Sequence, residues 1–271
     1  MHIASRLAAG TLATTLLVSA EAAAQSAPAP GPFRISDNSF LVEEAFNQEK
    51  GVFQNIFGAT RMNGDWAATF TQEWPVVSQR HQFSYTLAWM TATGRRGFGD
   101  TLLNYRWQAM MEGAGRPAFS PRASLILPTG SSSRGMGDGS AGLQVNLPFS
   151  KRTSDWYWHW NAGLTWLPRA RAEGAAARRE NLVTPFVAGS AIVRVRPMLH
   201  LMLETVVSFD ESIAAAGTAR DRAVTMSPGL RGGWTIGDRQ VVLGFAVPVT
   251  WQDGRGAGAF LYASYELPFD R

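Results

Sequence analysis

The chain has 271 residues, 45% of them hydrophobic, a formal charge of +4 and a mean hydropathy near zero. That mean excludes a bundle of apolar helices but not a barrel, whose strands turn only alternate residues to lipid. Cysteine is absent, which excludes a disulfide scaffold and a thiolate metal site. The positive charge is nearly all arginine, with lysine only at Lys50 and Lys151. No basic stripe with interleaved aromatics points to nucleic acid.

Met1 to Ala24 reads as a secretory signal. Arg6 supplies the charged start, Leu7 to Val18 the apolar run and Ala22-Ala23-Ala24 the small residues before a cut. That apolar run is too short to span a bilayer as a helix. Residues 25–51 form a leader. It opens with the proline-rich Ser26 to Pro32 and carries one predicted amphipathic helix, Ser39 to Gln48. Ser39 can cap it, Glu43 and Glu44 lie near its start, and Leu41, Val42, Ala45 and Phe46 form its apolar stripe. Such a segment could close a barrel's periplasmic mouth, enter its lumen, or pack on the rim as a surface turn.

From residue 52 to 271 the pattern predicts an all-β domain, a transmembrane antiparallel up-and-down barrel. Twelve strands are expected, at about 52–61, 64–74, 79–91, 98–111, 117–127, 139–150, 154–167, 182–195, 198–209, 222–236, 239–251 and 257–269. The clearest is Asp155 to Trp166. Trp156, Trp158, Trp160, Ala162, Leu164 and Trp166 alternate with Tyr157, His159, Asn161, Gly163 and Thr165, so one face is apolar and the other mostly polar. A second sheet would have to accommodate bulky tryptophans, whereas lipid has no shape to fit, and tryptophan favours the membrane interface. Most predicted strands are about twice the soluble norm in length, as a tilted span requires.

Connections are expected to alternate between long outer loops and short inner turns. The outer ones are Thr91 to Gly97, Pro128 to Asp138, Pro168 to Asn181, Asp210 to Asp221 and Gln252 to Gly256. The inner ones are Glu112 to Arg116, Lys151 to Thr153, Arg196-Pro197 and Gly237-Asp238. Trp74, Trp156 and Trp234 then fall near inner strand ends, and Trp66, Trp89, Trp166 and Trp251 near outer ones, giving two aromatic girdles. The chain closes on Tyr265 to Phe269, an alternating apolar ending like the assembly signal of outer-membrane barrels. The trailing Asp270-Arg271 departs from the usual aromatic last residue.

Several stretches carry a family resemblance. They are S-F-L-V-E-E-A-F-N-Q-E-K-G-V-F-Q (Ser39 to Gln54), F-T-Q-E-W-P-V-V-S-Q-R-H-Q-F-S-Y (Phe70 to Tyr85) and G-F-G-D-T-L-L-N-Y-R-W-Q (Gly97 to Gln108). To these are added L-P-T-G-S-S-S-R-G-M-G-D-G-S (Leu127 to Ser140) and L-Q-V-N-L-P-F (Leu143 to Phe149). They resemble the transporter-like outer-membrane β-barrel family named for the meta-pathway of phenol degradation. Lys50 stands where proline is expected. The resemblance implies an outer-membrane location and a conduit for aromatic or other hydrophobic small molecules. It carries over no site residues.

Parity places a set of polar side chains in the lumen. The charged ones are Arg106, Arg122, Arg194 and Arg231 with Glu73, Glu204 and Glu266. The neutral ones are Asn104, Gln144, Asn146, His159, Asn161 and His200. Such charges are costly at membrane depth unless paired or wet, and Glu204 and Arg231 have the parity for a cross-strand pair. No two histidines have metal-ligand spacing. His159 and Asn161 share a face, but no serine stands out to complete a hydrolytic site. Gly135-Met-Gly137-Asp-Gly139 opens no helix and so lacks the context of a phosphate loop; an outer-loop reading fits better, with Asp138 a weaker candidate calcium ligand.

The expected function is therefore an outer-membrane channel or uptake protein, not an enzyme, with no cofactor or metal. The alternatives are a lipid-modifying barrel enzyme using His159 and a structural barrel with a plugged lumen. The expected partners are outer-membrane lipid and lipopolysaccharide, whose phosphates Arg169 to Glu180 could bind, a small-molecule solute, and the barrel-assembly machinery.

Overall fold

In the computed structural model, residues 35, 37, 39–92, 94–171, 178–214, 217–237 and 239–269 are described. The predicted signal and proline-rich stretch lie outside them. Twelve antiparallel strands close on themselves. They are β1 (Val52–Met62), β2 (Asp65–Val76), β3 (Ser78–Ala92), β4 (Thr101–Trp107), β5 (Arg122–Leu127) and β6 (Gly142–Thr153). These are followed by β7 (Trp156–Arg171), β8 (Arg179–Arg196), β9 (Leu199–Ala214), β10 (Gly217–Ile236), β11 (Arg239–Ala246, resumed at Val249–Trp251) and β12 (Arg255–Pro268). Each pairs with the next, and β1 pairs with β12 from Val52↔Pro268 to Met62↔Gly258. Closure leaves no sheet edge to template another chain.

The wall has the predicted polarity. Along β7, Trp156, Trp160, Leu164 and Trp166 are 42–46% exposed, whereas His159, Asn161 and Thr165 are at most 4% exposed. The same alternation runs along β6, where Leu143, Val145 and Leu147 face out and Gln144 and Asn146 face in. The outward set is an apolar belt, and Trp66, Trp156, Trp166, Trp234 and Trp251 are exposed at its two borders. Both ends of the barrel chain, at Val52 and Pro268, meet at one rim. In an even-stranded barrel that rim is the periplasmic one.

The connections depart from the expected alternation at three places. Thr91 to Gly97 is mostly paired strand, with Thr91↔Arg96 and Ala92↔Arg95 as partners. Asp210 to Asp221 is not a loop: β9 and β10 stay paired through Asp210↔Asp221 and Glu211↔Arg220 to Ala214↔Gly217. Between β4 and β5 the inner connection is long, covering 108–121 and bridged at Met110↔Phe119 and Gly113↔Arg116. Tight turns use left-handed backbone, as at Asn63 (φ 51°) and Gly64 (φ 93°) between β1 and β2.

At the outer mouth the loop between β5 and β6 is tied down beside the start of β4 and to Arg171 at the end of β7. One oxygen of the Asp100 carboxylate accepts the Gly130 N–H (2.8 Å) and the other the Asp138 N–H (3.0 Å). Met136 from this loop is 1% exposed. The glycine run is thus a lid stitched to a carboxylate, and the Gly135, Met136 and Asp138 N–H groups already donate within the protein.

Candidate functional site: an occupied lumen

The predicted Ser39 to Gln48 helix does not form. Among the described residues this segment is extended with bends, and all of it from Ser39 to Gln48 is buried. It runs inside the periplasmic half of the barrel. An isolated ten-residue helix is marginal in water, and here side chains of the wall take the N–H groups that helical carbonyls would have used.

Glu204 on β9 begins the set. Its Oε1 accepts the N–H groups of Phe40 (3.0 Å), Leu41 (2.8 Å) and Val42 (3.1 Å) and the hydroxyl of Ser39 (2.7 Å). Successive N–H groups aimed at one carboxylate form a backbone nest. Further along, Glu43 N–H donates to Asn161 Oδ1 (2.7 Å) and Ala45 N–H to Ser150 Oγ (2.7 Å). Asn47 N–H donates to Gln108 Oε1 (3.1 Å) and Gln48 N–H to Gln82 Oε1 (2.6 Å). Buried backbone groups have to be satisfied somewhere, and this wall satisfies them residue by residue.

Charge adds a second hold. Arg106 and Arg122 both grip the fully buried Glu43, through Oε2 at 2.5 Å and Oε1 at 2.6 Å. Arg122 also donates to Asn104 Oδ1 (3.0 Å) and Gln144 Oε1 (2.8 Å), and Gln144 passes a bond to Thr165 Oγ1 (2.9 Å). Asn146 sits behind Asn161 at 3.4 Å. Glu73, 2% exposed, accepts from Gln82 Nε2 at 2.8 Å.

The predicted lumen set is therefore brought together around the inserted segment, with three corrections. Arg194 sits at the periplasmic rim, partly exposed, and pairs with Asp155. Glu266 is only partly buried, near the same rim opposite Gln54. Glu204 and Arg231 do not pair: the register sets Glu204 against Ser227 and Arg231 against His200. Arg231 donates instead to the Asp37 carbonyl and to His200 Nδ1 (3.3 Å).

Other members lie outside the predicted set. Gln82 and Gln108 share inward parity with Ser84 and Arg106, so strand alternation already puts them on the polar face. Ser39 and Phe40 belong to the segment expected to be able to enter the lumen, whereas Asp37 is placed there by the fold alone. Ser150 Oγ lies 2.8 Å from His159 Nδ1, and His159 Nε2 lies 3.5 Å from Glu44 Oε1. This line resembles a hydrolytic triad, but Ala45 N–H already occupies the Ser150 oxygen. Any substrate would have to displace the segment that carries Glu44, and the acid would leave with it. Among the described residues no cluster suits a metal ion, and Asp138 lies beside Asp100 without a third acidic ligand.

Part of the wall is apolar. Phe40, Leu41 and Val42 join Ile56, Ile192, Met202, Val206, Val242, Phe260 and Tyr262 in one buried cluster. The start of the inserted segment thus packs on an oily patch that polar side chains surround, and its later residues lie among polar ones. Outside that oily patch, Leu199, Leu230, Trp234, Leu243 and Phe245 border a groove of about 430 Å³ whose floor includes Gly232, Gly233 and Gly244.

No family model matches the chain, and no curated protein matches it. Among solved structures it is similar to an outer membrane channel from Pseudomonas putida F1, at a TM-score of 0.65 and 12% identity over 89% of this chain and 99% of that one. A weaker likeness is to the NanC porin, at a TM-score of 0.48 and 7% identity over 81% of this chain and 100% of that one. At such identities the likeness is one of fold. Together with the apolar belt, the polar lumen and the closed strand order, it makes this chain a β-barrel protein of the bacterial outer membrane.

Proposed function

We propose that this protein is a non-enzymatic outer-membrane conduit for small hydrophobic solutes, aromatic ones among them, closed at rest by the segment Ser39 to Gln48. The observation that carries the reading is the way the lumen is filled. A barrel needing only rigidity can fill a twelve-strand interior with its own side chains, whose number places it between packed and open barrels. Here a separate segment is held by the apolar packing of Phe40, Leu41 and Val42 and by many polar contacts, each of which can be exchanged for water when it withdraws to the periplasm.

The solute class is supported by the oily patch of the lumen and by the thin wall at Gly232, Gly233 and Gly244. At Gly244 the groove on the lipid side and the Phe40 ring on the inside approach each other through glycine backbone, and at Gly233 the inner neighbour is Ile35. A solute dissolved in the bilayer would collect in that groove. The P. putida protein similar in fold is described as an outer membrane channel, which favours transport over a purely structural role.

Proteoliposomes containing the full mature chain provide the test. Uptake of phenol-sized aromatics should exceed that of sugars of similar mass and should rise when the segment is loosened. Equal, protein-independent uptake of every solute would contradict the proposal, and planar bilayers without conductance in any variant would favour the structural reading.

A further inference from the structure

Phe40 and Asp37 sit on the inserted segment as a ring and a carboxylate, each with its own receptor in the barrel wall. The Phe40 ring, 4% exposed, lies 5.4 Å from Phe260 and 5.0 Å from Tyr262 between ring centroids, tilted by 38° and 32°. These are ordinary separations for attractive aromatic pairs. The floor beneath it is bare backbone. A Cβ added at Gly244 would come within 2.5 Å of Phe40 Cε1, and one at Gly229 within 3.2 Å of Cε2. The two glycines and two aromatics lie on neighbouring strands, since Gly244 faces Tyr262 and Gly229 faces Ala246. The result is a dent in the wall shaped to a single flat ring.

The carboxylate receptor adjoins it. Asp37 Oδ1 accepts from the Tyr262 hydroxyl (2.9 Å) and Gln54 Nε2 (2.8 Å), and Oδ2 accepts from the Ser264 hydroxyl. Tyr262 therefore touches both groups, the ring with its face and the acid with its hydroxyl. When the segment withdraws, the ring dent and these donors are vacated together, side by side.

We infer that this vacated pair of receptors is a binding site for single-ring aromatic carboxylates, and that Phe40 and Asp37 are its built-in competitors. The inference rests on the conduit reading above and gives it a solute. A ring alone would fill the dent but leave the three donors to water, forgoing the stronger charge-assisted bonds that a carboxylate makes there. An aliphatic acid would satisfy the donors but forgo the aromatic contacts and the flat fit over Gly229 and Gly244. A molecule with a ring and a carboxylate joined by a short flexible chain meets both demands and displaces both plug groups at once.

Saturable uptake into proteoliposomes of the full mature chain separates the possibilities, with three probes: 3-phenylpropanoate, 3-cyclohexylpropanoate and 3-phenylpropanol. The wild type should take up 3-phenylpropanoate about tenfold or more faster than either analogue at low concentration. Tyr262→Phe keeps the ring and removes one donor, and should erase most of the advantage over the alcohol while sparing that over the cyclohexyl acid. Gly244→Val should erase the advantage over the cyclohexyl acid. If that variant fails the heat-shift gel test for folding, Tyr262→Phe alone still decides. If all three probes enter at equal rates in every variant, the aromatic-acid site is overturned while the conduit stands. If none enters, even with Phe40→Ala, the conduit reading falls and takes this inference with it.

Discussion

Arg106 and Arg122 face each other across β4 and β5, two like charges side by side, and the carboxylate set between them belongs to Glu43 of the inserted segment. Like charges directly opposite on a sheet are unfavourable. The wall is therefore built to need the plug: it is electrostatically incomplete until Glu43 arrives. Removing one partner of a buried ionic group typically costs about 3–5 kcal/mol, because the remaining charge stays buried. Glu43→Gln should weaken docking of the segment by a comparable amount while leaving the barrel closed. Single-channel recording should show a larger and noisier conductance than wild type, with an unchanged heat shift on gels.

The lid at the outer mouth should respond to pH. Burial, helped by the neighbouring Asp100 charge, pushes the Asp138 carboxyl up to about 6, above its unfolded value. The packed lid thus binds this proton more tightly than the open one. Its packing is weakest when Asp138 is charged, above about pH 6, and strengthens as pH falls through 6 toward 4. Trypsin cleavage at the exposed Arg134, taken as a ratio to that of Asp138→Asn at each pH, should fall between pH 7 and pH 5. A flat ratio would refute the assignment.

The lipid-facing belt gives a depth-dependent prediction. Leu164 lies midway along β7 and faces outward, whereas Thr165 beside it is buried inside. Leu164→Arg should destabilise folding into vesicles by about 1–2 kcal/mol, between the cost of a cation at the midplane and that at the interface, because it lies one outward position inside Trp166. Denaturant titration in lipid measures it, with Thr165→Ser, which keeps the lumen hydroxyl, as a milder comparison.

The barrel itself was legible because strand periodicity is local. Trp156 to Trp166 shows the alternation without help from any other part of the chain, and the structure keeps every residue of it on the expected face. The plug was half legible. The expectation that Ser39 to Gln48 could enter the lumen names the right segment, but its cap-and-stripe pattern suggests a helix. What decides its conformation is Glu204, Asn161, Ser150, Gln108 and Gln82, acceptors far away in sequence, and tertiary context overrides weak local propensity. The Glu204–Arg231 pairing fails for a different reason. Parity gives the face but not the register, and the register follows from the tight Ala214–Gly217 end of a hairpin that the charged residues around it disguise as a loop. The receptors of Phe40 and Asp37 carry no sequence signal, since they exist only once β10, β11 and β12 lie side by side.

The central claim is that the segment Ser39 to Gln48 closes the lumen and must leave for solute to pass. Ser39 Oγ lies 2.6 Å from Ser190 Oγ on β8, close enough for a disulfide to bridge these positions, and the chain has no cysteine of its own to interfere. Solute influx through the Ser39→Cys, Ser190→Cys double variant, measured before and after reduction, is the most direct test. The account predicts that the oxidised protein admits no solute above empty liposomes and that reductant restores wild-type influx. Equal influx in the two states would contradict it.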